Sequence, residues 1–377
     1  MQSDTAPSTR NITSTHLASA LMGLMLSVFS LSADCNPLLS WLTGGEGRVT
    51  NVTREVASLH EHNAIWGLAF SPDGQLLATT SPGNVDLNLW DWRAGRIVRT
   101  LQRPSSDTTT TEPISFSPDG RFLASCQASA GTDGVAIRIW DTTTWQVVKD
   151  VRDPVSGGYL ALAFTPDSQT LILVTGGFRK DLGGNNLVVY STRTWQPIWG
   201  TFVDIKADTL AVSPDGRFVA TAGDYYTPLP VDTLQPRIAI IDLTTHHLVC
   251  TIDANAPSHY GNMPQQLVWS PDGTHIAIGF WNVNPGDDAV RIFDARTGAL
   301  VAGDKPDNPE HILGVRYTPD GKYFIDANID NHIHIWDGAH RQLLDSLRAW
   351  ISSLAVTRDG KYFAAGGKDR VVVWELK

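Results

Sequence analysis

The sequence predicts an all-β repeat protein, and three observations carry that prediction. A four-residue turn, Ser-Pro-Asp-Gly or a close variant, recurs seven times in the 377 residues. Short alternating apolar runs flank each turn, as expected for two strands joined by a turn. A third run of the same kind follows each turn and commonly ends in an aromatic or apolar residue and then an acid. Self-similarity at a period of about 40–50 residues indicates a radial or stacked array of similar units.

The turn has a composition that suits its predicted backbone. Proline at the second position presets φ for a type I turn, aspartate can accept nearby backbone hydrogen bonds, and glycine at the fourth position accepts a positive φ. Ser168 replaces the glycine of the third turn and Arg358 the proline of the seventh, and we expect each turn to persist at a small cost in stability. The turns are Ser71–Gly74, Ser117–Gly120, Thr165–Ser168, Ser213–Gly216, Ser270–Gly273, Thr318–Gly321 and Thr357–Gly360.

The third run carries a family resemblance. Its last residues are Leu89–Asp91, Ile139–Asp141, Val189–Ser191, Ile240–Asp242, Ile292–Asp294, Ile335–Asp337 and Val373–Glu375. These units resemble the tryptophan–aspartate (WD) repeat family of β-propellers over about residues 54–377. Residues of the repeat are Trp90, Asp91, Trp140, Asp141, Trp336, Asp337 and Trp374. The resemblance implies a seven-bladed β-propeller of four-stranded antiparallel blades.

The ring is expected to close through an N-terminal strand. The seventh unit supplies three strands before Lys377, and Arg54–Leu59 has the pattern of an outer strand that precedes the first unit. The resemblance implies that this segment pairs with Val371–Trp374 in the C-terminal blade. Closure removes strand edges that would otherwise invite aggregation. We therefore expect a propeller domain over residues 48–377.

Residues 1–47 are expected to form a leader and linker. No formally charged residue occurs from Asn11 to Ala33, Leu17–Leu31 is rich in apolar residues, and Arg10 precedes this stretch. The pattern favours a secretory signal peptide, and with it export to the periplasm or the exterior. The alternatives are an uncleaved membrane anchor, a lipidated Cys35, and a cytoplasmic protein with a disordered leader.

Composition narrows the function classes. The formal net charge of −10 disfavours nucleic acid or an anionic membrane as a partner, because phosphate binding needs clustered Lys and Arg. Three cysteines do not make a disulfide framework. The sequence has no nucleophile elbow, phosphate-binding glycine loop, paired-cysteine motif or zinc-binding helix. We therefore predict no catalysis, no cofactor and no metal, although an active site with one residue per blade would leave no linear motif.

The long, irregular loops are all expected on one face of the propeller, which favours that face for binding. The interpretation is a monomeric scaffold that displays these loops rigidly to an unidentified protein partner. Loops that merely tolerate insertions are one alternative, and an exported propeller enzyme or small-ligand binder that uses the central channel mouth is another. The candidate contact residues are Arg179, Lys180, Tyr225, Tyr226, His259, Tyr260 and Trp281.

Two histidine positions need separate treatment. His332 and His334 project to one face of a predicted strand. Asp326 and Asp330 are nearby in sequence, which could begin a metal site, although an ordinary polar stripe is the alternative. His62 lies near the position of a histidine that, by resemblance, braces a blade through hydrogen bonds. Glu61 stands where that pattern expects glycine, and we favour a structural role for His62.

Overall fold

The computed structural model describes residues 51–81, 86–102, 113–126, 135–153, 159–175, 185–225, 235–254, 263–281, 287–304, 311–340 and 342–377. These residues form twenty-eight strands in seven four-stranded antiparallel sheets. The predicted leader, residues 1–47, lies outside this set. Among the described residues there is no helix long and apolar enough to cross a membrane.

In the first six blades the strands follow chain order from the centre outward. Blade 1 has β2 (Gly67–Phe70), β3 (Leu76–Thr80), β4 (Asp86–Asp91) and β5 (Arg96–Gln102); blade 2 has β6 (Ile114–Phe116), β7 (Phe122–Cys126), β8 (Val135–Asp141) and β9 (Val147–Asp153); blade 3 has β10 (Tyr159–Phe164), β11 (Thr170–Thr175), β12 (Leu187–Ser191) and β13 (Pro197–Thr201). Blade 4 has β14 (Lys206–Val212), β15 (Phe218–Tyr225), β16 (Gln235–Asp242) and β17 (His247–Asp253); blade 5 has β18 (Met263–Trp269), β19 (His275–Trp281), β20 (Val290–Asp294) and β21 (Leu300–Asp304); blade 6 has β22 (Ile312–Tyr317), β23 (Tyr323–Asn328), β24 (His332–Asp337) and β25 (Leu343–Arg348).

Blade 7 combines the two ends of the propeller. It contains β26 (Ser353–Val356), β27 (Tyr362–Gly366), β28 (Arg370–Leu376) and, as the outer strand, β1 (Thr53–His60). The antiparallel register pairs Thr53 with Leu376 and His60 with Arg370. The predicted closure by an N-terminal strand is therefore confirmed.

The seven predicted turns share one hydrogen-bond pattern. The Ser or Thr hydroxyl donates to the carboxylate of the aspartate two residues on, at 2.5–2.7 Å, and accepts the N–H of the residue five positions on in all seven turns. Ser168 adopts φ 61°, the left-handed backbone that glycine favours. Its hydroxyl also accepts the Asp119 N–H at 2.9 Å, which offsets part of the cost expected for the missing glycine.

The buried core lies between neighbouring blades. Six apolar clusters each combine side chains of adjacent sheets, and one of them joins Leu59 and Val371 of blade 7 to Leu68 and Trp90 of blade 1. The innermost strands contact each other in sequence, and β26 contacts β2. The blades therefore form a closed ring around a central channel.

Candidate functional site

The propeller presents two different faces. The seven Pro-Asp turns join the first and second strands of each blade, and the turns after the third strands lie at the same end because the strands are antiparallel. We call this end the turn face. The connections from second to third strands and from blade to blade lie at the opposite end, the loop face.

The structure describes little of the predicted contact set. Trp281 ends β19 on the loop face, is half-buried, and stacks on the His311 ring with centroids 4.4 Å apart and 18° between planes. Tyr225 ends β15 on the same face. The other five candidates, Arg179, Lys180, Tyr226, His259 and Tyr260, lie outside the described residues.

Sequence reasoning missed an apolar surface on the loop face. Its exposed members are Trp66 at 36%, Ile329 at 40% and Trp350 at 62% exposure. Together with the stacked Trp281 and His311 they make up what we call the loop-face patch. It runs from the junction of blades 5 and 6 through blade 7 to blade 1.

Backbone contacts connect the members of the loop-face patch. The Ile329 N–H donates to the His311 carbonyl at 2.9 Å, and two residues further on the Asn331 carbonyl accepts the Ala349 N–H at 2.8 Å. Gly367 passes so close to the Trp350 carbonyl oxygen that a Cβ there would collide with it. The Gly367 carbonyl accepts the Ile65 N–H at 2.9 Å, beside Trp66. The exposed side chains therefore stand on backbone whose positions are mutually constrained.

The central channel encloses a cavity of about 740 Å³. Inner strands of all seven blades line it, and most lining side chains are small, apolar or neutral. The ionisable side chains among the described lining residues are Asp208, Arg316 and Arg358. Lys206 lies 3.7 Å from the Asp208 carboxylate. The described lining thus contains neither the histidine nor the convergent carboxylates that the propeller-enzyme alternative requires.

Two blade tryptophans, Trp90 and Trp336, donate to carboxylates, and one of these carboxylates replaces the expected histidine. Glu61 accepts hydrogen bonds from the Thr79 hydroxyl at 2.6 Å and from Trp90 Nε1 at 3.1 Å, whereas His62 is exposed. The prediction that His62 braces blade 1 is therefore wrong. A carboxylate has two acceptor oxygens and can serve several donors at once, which a neutral imidazole cannot.

Blade 6 uses the same device. The fully buried Asp326 accepts from Trp336 Nε1 and, at 3.2 Å, contacts His334 Nδ1. The rings of His332 and His334 stack nearly parallel, 6.1 Å apart. Within the described ranges no group of three His, Cys, Asp or Glu side chains could hold a metal. The polar stripe accounts for these histidines.

The remaining repeat residues hold strands and turns. Trp140 is buried between blades 1 and 2, and Trp374 stacks on Phe363 with centroids 5.0 Å apart. Asp141 accepts the N–H groups of Thr143 and Thr144 at 2.9 Å, and the hydrogen bond from Thr144 is the main reason that its pKa lies below the usual range. Asp91 and Asp337 accept backbone N–H groups in the corresponding turns.

Comparison with known proteins gives a consistent result. Residues 53–86, 307–337 and 341–375 match the family model described as "WD domain, G-beta repeat". Nuclear distribution protein PAC1 of Arthroderma benhamiae is 24% identical over 328 residues, which cover 79% of this chain and 66% of PAC1. Actin-interacting protein 1 of Drosophila melanogaster is 23% identical over 252 residues, and WD repeat-containing protein 1 of Mus musculus is 24% identical over 244 residues. Each of these two alignments covers 55% of this chain and 38% of the relative.

The chain spans 66% or less of the length of each of these relatives. The matched stretches fall on β1 to β3 and on the strands of blades 6 and 7. Strand β1 closes the ring, blade 6 contains the Trp336-Asp337 dipeptide, and blade 7 contains the Trp374-Glu375 dipeptide. The fold, the repeated turn and the matches point the same way. The chain is a seven-bladed β-propeller that matches the WD-repeat model in three places and is similar to WD-repeat proteins.

Proposed function

We propose that the chain is a non-catalytic scaffold that binds a protein partner through its loop face. The observation that carries the proposal is the loop-face patch, in which two tryptophans and an isoleucine are exposed at 36–62%. Tryptophan is enriched at the energetic centres of protein interfaces. The matches to the WD-repeat model and the similarity to WD-repeat proteins support an interaction role of this general kind.

Rigid display is the proposed mechanism. The backbone beneath the patch is tied by hydrogen bonds among residues 311, 329, 331 and 349, and these residues lie at the ends of strands in a closed ring. A surface that is already ordered loses little conformational entropy when it binds. We include the loops of blades 3 to 5, with Arg179, Lys180, Tyr226, His259 and Tyr260, in the proposed binding face.

The name of one relative, Actin-interacting protein 1, refers to a protein partner of that relative. It supports the class of interaction proposed for this chain and not the identity of a partner. The competing proposal of a propeller enzyme requires convergent acids or histidines at the channel mouth on the loop face. Asp208 is the one acidic side chain among the described lining residues.

The test is affinity capture from an extract of the source organism with matched variants. The patch variant carries Trp66→Ser and Trp350→Ser. The control carries Ile198→Ser and Val301→Ser, which are exposed at 58% and 54% on outer strands away from the loop face. A third variant, Arg179→Ala with Tyr226→Ala, examines the loops of blade 3 and blade 4. Thermal melts establish that each variant is folded.

We expect a partner that wild type and control capture equally and that the patch variant loses. Loss with the third variant as well would extend the binding face to blades 3 and 4. Equal capture by wild type and patch variant contradicts the assignment of the patch. Purified partner and chain then give the dissociation constant, which we expect to rise at least about a hundredfold because the two tryptophans that the partner would cover are removed.

A further inference from the structure

Arg316 occupies an unusual position in the propeller. It stands in β22, two residues before the Pro-Asp turn of blade 6, and it lines the central channel. The corresponding positions of the other blades are Ala69, Ser115, Ala163, Ala211, Val268 and Ala355. At this level, near the turn face, a single guanidinium therefore projects among small, uncharged side chains.

The Arg316 guanidinium has no carboxylate partner among the described residues. Its Nη1 donates to the adjacent Val315 carbonyl at 2.8 Å, and that is its one hydrogen bond in the described part of the chain. All seven Pro-Asp turns that surround this end of the channel lie in the described part of the chain, and none of their carboxylates pairs with Arg316. Burial lowers the pKa of Arg316 to about 10, which leaves the side chain charged at neutral pH.

The carboxylates that could balance the charge of Arg316 either accept other hydrogen bonds or lie at another level of the channel. Each turn aspartate accepts the hydroxyl proton of its own turn at 2.5–2.7 Å. Asp208 lines the channel five residues before its turn, three positions further toward the loop face than Arg316, which is roughly 10 Å along a strand. Arg316 is half-buried at the channel wall, and charges withdrawn from bulk water are normally paired in proteins.

A second cation stands at the same end of the channel. Arg358, which replaces the proline of the seventh turn, lines the channel and donates from Nη1 to the Pro118 carbonyl of blade 2 at 2.8 Å. Its side chain thereby crosses blade 1 at the rim. The turn-face end of the channel thus carries two guanidinium groups in a protein whose formal net charge is −10.

We propose that the turn-face end of the central channel binds a small anion with a carboxylate or phosphate group, held by Arg316 with Arg358 at the entrance. The guanidinium fork matches both groups in a bidentate geometry. A cavity of about 740 Å³ has the size of a small-molecule site. The ligand would supply the negative charge that Arg316 lacks within the described protein. Trp66 of the loop-face patch also lines the channel, but it lies toward the loop face, whereas Arg316 and Arg358 lie at the turn-face end. The proposed anion site does not depend on the proposed partner binding.

The test measures the thermal shift and the binding heat of the full chain with two probes, inorganic phosphate and citrate, at constant ionic strength. A ligand that binds the folded state raises the melting temperature, and the rise grows with the logarithm of its concentration relative to its dissociation constant. Arg316→Gln removes the charge that we assign to the site. Arg296→Gln is the matched control, because Arg296 is exposed on the turn after β20 and does not line the channel.

We expect wild type and Arg296→Gln to bind at least one probe equally. We expect Arg316→Gln to bind it at least about tenfold more weakly, since hydrogen bonds to a charged group are lost. Arg358→Gln should weaken binding several-fold. Preference for phosphate or for citrate distinguishes an inorganic or phosphoryl ligand from a carboxylate ligand.

Absence of binding by wild type to both probes overturns the proposal, and so does equal binding by wild type and Arg316→Gln. If Arg316→Gln did not fold, Arg316→Lys would decide by the same criterion, because it keeps the charge and loses the fork. An affinity about tenfold weaker in Arg316→Lys supports the site, and an unchanged affinity contradicts it.

Discussion

Single carboxylate and hydroxyl groups hold turns and blade tryptophans of this propeller in place through hydrogen bonds. Glu61 binds Trp90, and Asp326 binds Trp336, so that two blade tryptophans are held through their Nε1 atoms by acids from different positions in the repeat. The resemblance placed His62 near the position of a bracing histidine, but the neighbouring Glu61 accepts the hydrogen bond from Trp90. A shift of one residue along an extended chain turns a side chain to the opposite side, so the choice between them depended on the conformation of residues 61–66.

His340 supplies a prediction at the residue scale. Its ring packs between Phe324 and Trp336 at centroid distances of 4.8 and 4.6 Å. Desolvation by burial is the main cause that lowers its pKa below the ordinary 6.5, with His334 acting in the same direction and Asp326 and Asp337 opposing it. At a pH between the folded-state and unfolded-state pKa, His340 is therefore protonated in the unfolded chain and neutral in the folded chain. The free energy of unfolding should fall as the pH falls from 6.5 toward the folded-state pKa.

Urea denaturation between about pH 7.5 and about pH 5.5 measures this effect. His340→Asn should flatten the pH dependence, and asparagine tolerates the φ of 54° at this position. His247→Asn, at an exposed histidine, is the control and should leave the slope unchanged. A slope in His340→Asn equal to that of wild type would contradict the assignment.

At the scale of the element, the strand β1 closes the ring. It fills the outer place of blade 7 and brings Leu59, exposed at 1%, into the cluster between blades 7 and 1. Thr53 at its other end donates from N and Oγ1 to the buried Asp345 at 3.1 and 2.6 Å, which ties β1 to blade 6. The strand thus contributes pairing to one blade and packing to two neighbours.

Leu59→Ala should destabilise the propeller by about 2–5 kcal/mol, because it removes buried methyl groups and leaves a cavity. Ser58→Ala, on the exposed side of the same strand, should change the stability by less than about 0.5 kcal/mol. Chemical denaturation followed by tryptophan fluorescence measures both. Equal effects of the two substitutions would show that β1 does not contribute to the core in solution.

At the scale of the whole molecule, the packing predicts concerted unfolding. No described cluster belongs to one blade alone, and the clusters together span every junction of the ring, including the junction of blades 7 and 1. Far-UV circular dichroism and tryptophan fluorescence should therefore give coincident unfolding curves. The unfolding curve of Leu59→Ala should shift to lower stability as a single transition. Separate transitions by the two probes, or an early step confined to the variant, would contradict concerted unfolding.

The sequence around the residues of the candidate sites does not indicate where those residues lie in the structure. Trp350 lies between Ala349 and Ile351 and looks like part of an apolar strand, so nothing in its neighbourhood along the chain indicates an exposed position. The stack of Trp281 on His311 joins residues of different blades. Arg316 is one charged residue within an alternating run, and its significance emerges only when seven inner strands are compared around one channel.

The sequence by itself determined the repeat and the turn chemistry, and the family resemblance of its repeats implied the four-stranded blades and the closing strand. The repeat and the turns follow from local conformational preferences and from alternation along the chain, which each segment carries within itself. The tertiary structure alone decided that Glu61 rather than His62 holds Trp90, that backbone hydrogen bonds link positions of the loop-face patch, and that Arg316 faces a channel without a carboxylate partner among the described residues. Those outcomes depend on contacts between residues far apart in the chain, which the geometry of the closed ring sets.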